Sequence, residues 1–576
     1  MWVGEWGLPK RVFSVVMFVL LLTSMLTLVF NIQPVKASGT VYIRADGSVD
    51  PPDARISSVD NVTYTFTDNI NDSVVIERDD IVVDGAGYTV QGTGLETGIY
   101  VDGRGGVTIR NTTISNFERG IWLYSSSNNS IADNHITAND WLGIDLYDSS
   151  DNVVYGNNMA NNDFGIRLFE YSSNNTVYGN NITANHWAGI ALYYSSNSTV
   201  YGNNITANSE YGIHLYDSSN NSISGNNIAN NQAGIFLEEG SSYNTISGNV
   251  FLNDGLFAYG SYDNVVVDNS VNGKLLVYLE NISDRIVDDA GQVILINCSN
   301  IIVENLDLSR AHVGVELWVT KNTRIAKNNI TANNWAGIYL GVSSNNTVCG
   351  NNITANNWAG IYLGDSFSNT VSGNKITATE SFGIWLSSSS NNSINGNSIT
   401  ANNYYGIYLY RSSNNTVYEN NITLNYWYGI YLDGSSDNKF CHNNFINNGF
   451  QVYSQDSANL WDDGYPSGGN YWSDYSGADF YKGPYQNEAG NDGIGDTPYV
   501  IDENNADRYS LMLPYSLLIG DINQDRTIDV SDAIMAALAF GSYPGHPTWN
   551  EQADLNKDGI VDIFDVIILA NNFGKS

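Results

Sequence analysis

Between about residues 98 and 431 the chain repeats one pattern of short apolar segments and polar turns. Each unit ends in Gly-(Ile/Val/Leu)-x-(Leu/Ala), with glycines at Gly120, Gly143, Gly165, Gly189, Gly212, Gly234 and Gly255. The pattern breaks off and resumes at Gly314, Gly337, Gly360, Gly383, Gly406 and Gly429. The second run keeps a spacing of 23 residues, and the first varies between 21 and 24. Within a unit, Asn174 to Asn185 leads into Gly189-Ile190-Ala191-Leu192-Tyr193. The apolar residues alternate, so Ile190 and Leu192 share a buried face while Ala191 points the other way. Such segments are too short for helices, and one unit cannot bury its apolar face alone. In-register stacking predicts an all-β fold, a right-handed parallel β-helix solenoid of about 23 residues per coil. Gly98 to Gly429 would give roughly 14 coils and a rod of roughly 70 Å. On this assignment Ile190→Asp breaks the stack and Ala191→Asp is tolerated.

The same geometry explains the asparagines. Asn tolerates left-handed turns, bonds its own backbone and forms ladders along an in-register stack. The sequons at Asn181, Asn204, Asn329 and Asn352 therefore belong to the turn code. Cys349 and Cys441 lie 92 residues apart, four repeats of 23. That places them about 19 Å apart, beyond the reach of a disulfide.

The x positions after each glycine form an outward column. Tyr339, Tyr362, Trp385, Tyr408 and Tyr431 give rings on five consecutive coils. An exposed strip of that kind suits stacking against sugars, and a plain ring ladder that stabilises the strands is the competing explanation. In the first run Asp145, Arg167 and His214 break the column and are the best catalytic candidates on this face. Asp145 and Arg167 fall on adjacent coils, where an ion pair also accounts for them.

Lys plus Arg number 24 against 60 acidic residues, a formal charge of -36. That field repels phosphate backbones and excludes nucleic acid as a partner, while it suits calcium and neutral polymers. At the N-terminus, Lys10 and Arg11 precede an apolar run from Val12 to Phe30, with Ala37 at a cleavage position. This reads as an export signal over residues 1–37 and a secreted protein; uncleaved, the segment would anchor the chain in a membrane.

The composition changes near residue 519. Asp521, Asn523, Asp525, Thr527, Asp529 and Asp532 occupy positions 1, 3, 5, 7, 9 and 12 of a calcium-binding loop. Asp554, Asn556, Asp558, Ile560, Asp562 and Asp565 repeat the pattern 33 residues on. Alternating hard oxygen donors select calcium, and position 7 supplies only its carbonyl, so Thr527 and Ile560 need no particular side chain. Each loop runs into an apolar helical segment. Two loops predict two calcium ions.

The rod repeats resemble the NosD-like family of carbohydrate-binding and sugar-hydrolysis (CASH) β-helices, and Trp461 to Trp472 carries the most distinctive part of the likeness. The paired loops, with Asp at position 12, resemble a type I dockerin. This implies a domain order of signal peptide 1–37, β-helix with its N-terminal cap 38–459, closing segment 460–518 and dockerin 519–576. The dockerin resemblance implies a cohesin partner, read by Val530, Ser531, Ile563 and Phe564. The expected function is a secreted, carbohydrate-binding protein held on a scaffold or cell surface, with a polysaccharide or glycan as the second partner and carbohydrate processing as an added activity to test. Three alternatives stay open: a polysaccharide lyase or glycoside hydrolase, a structural surface protein or adhesin, and a NosD-like copper-handling protein. His135, His186, His214, His312 and His442 are scattered along the rod, which speaks against copper.

Overall fold

The computed structural model describes residues 39–515, 520–523, 528–556 and 558–574. The signal segment and the loop positions Asp525 and Thr527 lie outside the described residues. The chain folds into a parallel β-solenoid of about 18 turns with about 23 residues per turn. A representative coil contains the strands Thr176–Tyr178, Asn181–Thr183 and Ala188–Tyr193. Left-handed residues such as Asn174, Gly179 and Ala184 turn the chain between strands. Ile190 pairs with Ile166 on one side and Ile213 on the other, and Leu192 with Leu168 and Leu215. All are fully buried. The glycine before each isoleucine is required by close approach: a Cβ on Gly189 would stand 2.6 Å from Ile205 Cγ2 and 2.7 Å from the Gly212 carbonyl.

Asparagines run through the interior corners as continuous ladders. The Asn157 backbone N–H and its side-chain amide each donate to Asn180 Oδ1 at 3.0 Å, and the amide also donates to the Ile131 carbonyl at 2.9 Å. Asn180 repeats the arrangement on Asn203. The ladder thus satisfies buried turn amides that no strand reaches. The three cysteines are free. Cys349 connects to Cys441 through Ser372, Asn395 and Tyr418 on successive coils.

The break in the repeat is a junction between two rods. The last Asn-Ile-Thr-type strand of the first rod, Ser270–Val271, turns back through an antiparallel pairing with Lys274–Leu275. The rest of that strand, up to Glu280, pairs in parallel with Gln292–Ile296, which starts the Gly-Ile sheet of the second rod. One sheet therefore crosses the junction but changes role. The strand Gln292–Ile296 is buried on both faces: Ile294 and Ile296 belong to the first core, Val293 and Leu295 to the second. The Gly-Ile sheet of the first rod ends at Leu256–Ala258, and side chains close its edge. Gln292 accepts from the Leu256 N–H at 3.0 Å and donates to the Leu256 carbonyl at 2.7 Å, in place of a missing strand. Glu316 accepts from the Ala258 N–H at 3.2 Å. The far end is capped by the closing segment, where Trp461 stacks on Phe440 and Trp472 on Phe445, each at 4.3 Å. Asp507 ends the ladder, accepting from the Asn470 backbone N–H at 2.7 Å and from the Trp472 indole N–H at 2.8 Å.

Candidate functional site

The aromatic column of the second rod differs from the expected flat strip in two respects. Tyr339 is only 3% exposed, because the end of the first rod covers it and Phe257 meets its ring edge-on at 5.5 Å. It is not a surface residue. Tyr362, Trp385, Tyr408 and Tyr431 are half-buried, and much of the column stacks on itself. Trp385 lies on Tyr408 at 5.4 Å and 22°, and Tyr431 on Tyr453 at 4.9 Å and 22°. These stacked pairs alternate with edge-to-face ones, since Tyr362 meets Trp385 at 75° and Tyr408 meets Tyr431 at 81°.

A second aromatic column, not read from the sequence, runs beside the first. It occupies the one or two positions before each glycine: Trp335, Trp358, Phe382, Tyr404 with Tyr405, and Trp427 with Tyr428, then Phe450 on the next coil. Trp335 and Trp358 stack at 4.6 Å and 13°. Tyr404, Trp427 and Phe450 are 42%, 46% and 65% exposed. Its signal in the sequence is the recurring Trp-Ala-Gly at 187, 335 and 358, on the side of the glycine opposite the first column.

The structure separates the catalytic candidates of the first rod. Asp145 receives Arg167 Nε at 3.0 Å and Arg167 Nη2 at 2.9 Å, and Arg119 approaches to 3.5 Å. Both arginines lie over the Trp141 ring at 4.6 Å. Asp145 and Arg167 are buried, with their charges spent on each other. His214 is buried elsewhere, between the Tyr193 hydroxyl and a Glu238 carboxylate oxygen, each at 2.8 Å. Burial lowers the His214 pKa, Glu238 opposes that shift, and burial raises the Tyr193 hydroxyl to about 12. The outward side of this sheet is covered by its own large side chains: Ala191, between Arg167 and His214, is fully buried. An aspartate at Ala191 would therefore meet a sealed site and not solvent, contrary to the expected tolerance.

In the C-terminal module, helices Val530–Ala539 and Ile563–Asn572 pack around Ile522, Ile528, Ala536, Val561 and Leu569. Asp529 and Asp562 cap them, each in a capping box with Asp532 or Asp565. The position-12 carboxylates also fold the loops: Asp532 accepts from the Asn523 N–H and Asp565 from the Asn556 N–H, both at 3.0 Å. Asp554 accepts from the Gly559 N–H at 2.9 Å. The donors are carboxylate, amide and carbonyl oxygens, which fits calcium. Val530, Ser531, Ile563 and Phe564 are exposed on the helix starts.

The described donors do not fit copper. His135, His186 and His442 are held separately, by Asn158, Asp163 and the Ser467 carbonyl. Among the described residues no three His, Cys, Asp or Glu stand close enough together to hold a metal, the acidic loop from Asp554 to Asp565 included, so the fit to calcium there rests on the kind and order of its donors. Nor is any described helix long and apolar enough to cross a membrane.

No curated protein matches the sequence. Among solved structures, the periplasmic alginate epimerase AlgG is 14% identical over 74% of this chain and 82% of its own, with a TM-score of 0.19. The A-module of the Azotobacter vinelandii mannuronan C-5 epimerase AlgE4 is 15% identical over 63% and 91%, with a TM-score of 0.24. DFA-IIIase from Arthrobacter chlorophenolicus A6 is 12% identical over 55% and 85%, at 0.27. Likeness at this level carries no functional argument. The family described as periplasmic copper-binding protein (NosD) matches residues 74–255 and 254–477, and the type I dockerin domain matches residues 519–574. The chain belongs to the NosD family of β-solenoids and carries a type I dockerin, a calcium-binding module, at its C-terminal end.

Proposed function

We propose that the aromatic face of the second rod binds uncharged polysaccharide outside the cell, and that the dockerin holds the rod on a cohesin-bearing scaffold or surface. The observation that carries this reading is the double aromatic column from Trp335 to Phe450, which leaves Tyr404, Trp427 and Phe450 exposed on three consecutive coils. The formal charge of -36 favours a neutral polymer over an acidic one. In this reading Tyr362, Trp385, Tyr408 and Tyr431 contribute, together with Tyr404 and Trp427. Two calcium ions are held by Asp521, Asn523, Asp525, Thr527, Asp529 and Asp532 and by their counterparts Asp554 to Asp565. Cohesin is read by Val530, Ser531, Ile563 and Phe564. The test is a glycan array probed with the whole protein, with and without calcium, followed by titration of Trp385→Ala and Trp427→Ala. Weakening of roughly tenfold in the double variant, with an unchanged melting temperature, supports the face. Lower melting temperature with unchanged affinity would leave the columns a structural ladder and the rod a spacer.

One observation favours a second reading, a lyase or hydrolase. The Tyr193–His214–Glu238 chain joins a phenol, an imidazole and a carboxylate by 2.8 Å contacts, an arrangement suited to moving a proton. Release of unsaturated or reducing-end products, lost in His214→Gln, would establish it.

A further inference from the structure

An open cleft of about 610 Å³ lies between the two rods, within the roughly 300–1,000 Å³ typical of small-ligand sites. One wall is the indole pair Trp335 and Trp358 of the second rod, with Asn357; the other is Ser209, Asn230 and Gln232 of the first. No charged side chain lines it. We propose that this cleft seats the free end of an uncharged polysaccharide chain, so that the protein reads chain termini and not chain interiors. The inference rests on the glycan-binding reading above and makes it more specific.

The dead end is built from contacts between the rods. The outer aromatic column of the second rod runs along its surface towards the junction and stops at Trp335. Beyond that ring the surface is occupied. His312 Nδ1 bonds the Gln232 carbonyl at 2.8 Å, and its ring lies parallel to Trp335 at 5.8 Å. The Asn334 amide donates to the carbonyls of Asn231, Gln232 and Asn253 at 3.0, 3.1 and 3.0 Å. The inner column is blocked as well, since Tyr339 passes beneath Phe257. A chain lying on the aromatic face can extend away from the junction but not through it. Its terminal residue would meet an apolar wall opposite amide and hydroxyl groups that donate and accept, the pairing that suits a sugar ring with one apolar face and a hydroxyl rim. The uncharged lining selects against uronic acid or phosphate at that end.

The whole protein would be titrated with neutral hexasaccharides of the cello, xylo, manno and laminari series, and with soluble polymers of the same linkages at two chain lengths. The expected result is one protein per chain for hexasaccharide and polymer alike, independent of length. Trp358→Ala and Ser209→Tyr should each weaken binding roughly tenfold or more. Ser209 is exposed on the first-rod wall, so a tyrosine there fills the cleft without entering either core, and it keeps the test sound if the tryptophan variant folds poorly. Protein bound per chain that grows with polymer length, with Ser209→Tyr binding as the parent does, would overturn end-reading and leave the aromatic face intact. Failure of every neutral glycan to bind would overturn both.

Discussion

Glu316 accepts hydrogen bonds from the Ala258 N–H and, at 2.8 Å, from the Trp318 indole, deep inside the junction. Burial pushes its pKa up to about 8, and that of Asp254, on the facing edge of the first rod, also to about 8. Both therefore stay protonated in the fold at a pH where the unfolded chain has released them. The stability they contribute is complete at acid pH. It falls by about 1.4 kcal/mol per group per pH unit as pH rises from the unfolded value near 4 to the folded value near 8. Melting temperature should decline between about pH 5 and pH 8, and Glu316→Gln, which mimics the protonated acid, should flatten that decline. A variant that melts with the parent's pH slope would show the group ionised in the fold. Burial raises the Asp145 pKa as well, but there the Arg167 guanidinium, with Arg119 behind it, opposes the shift. Arg167→Met should cost about 3–5 kcal/mol by stranding Asp145, read as denaturant stability. Loss of product formation without loss of stability would instead assign the pair to catalysis. Ala191→Asp should now destabilise as Ile190→Asp does, because both sites are sealed.

At the scale of the element, the coil was legible and the junction was not. The alternation of Ile190 with Leu192, the 23-residue period and the four-coil separation of Cys349 from Cys441 all follow from pleat geometry, which one sequence states many times over. The junction is stated once. Its signals are two polar residues, Gln292 and Glu316, at strand positions where the repeat places other residues, and a period shortened to 16 between Leu276 and Gln292. Outward columns were equally readable in register, but exposure was not, because it depends on what a distant coil sets against them, as Phe257 does against Tyr339. Asparagine ladders are the element that a single substitution tests best. Asn203→Ala removes the acceptor of the Asn180 N–H at 3.0 Å and one of three acceptors of its side-chain amide, which keeps the Val154 and Tyr178 carbonyls, at a cost of about 1–3 kcal/mol for the N–H left unpaired. The dockerin helices start on carboxylates that also close the loops, so chelation should loosen that module alone. Limited proteolysis in EDTA is expected to trim the chain beyond about residue 519 and leave the rod whole, whereas an unaltered digest would show a fold independent of calcium.

Across the whole molecule, two solenoids with separate interiors are joined by a sheet that changes role between them. Bending at that joint would expose Ile294, Ile296 and Tyr339, so a fixed angle is expected, and X-ray scattering should fit one shape across temperature until the cooperative melt. Gln292→Ala, which leaves the Leu256 N–H and carbonyl without their partner, should broaden that shape or lower the melt before any internal coil responds. The regular stretch between the joint and the closing cap has a further meaning. Five coil-to-coil pairings lead from Ala336–Gly341 to Phe450–Gln455, a span of roughly 24 Å at about 4.8 Å each. Excision of residues 370–392, one full period, should draw the two ends about 4.8 Å closer while altering neither. The second rod is in this sense a ruler with whole-repeat graduations: its reach can be lengthened or shortened by duplication or loss of a single unit, with the fittings at both ends unchanged.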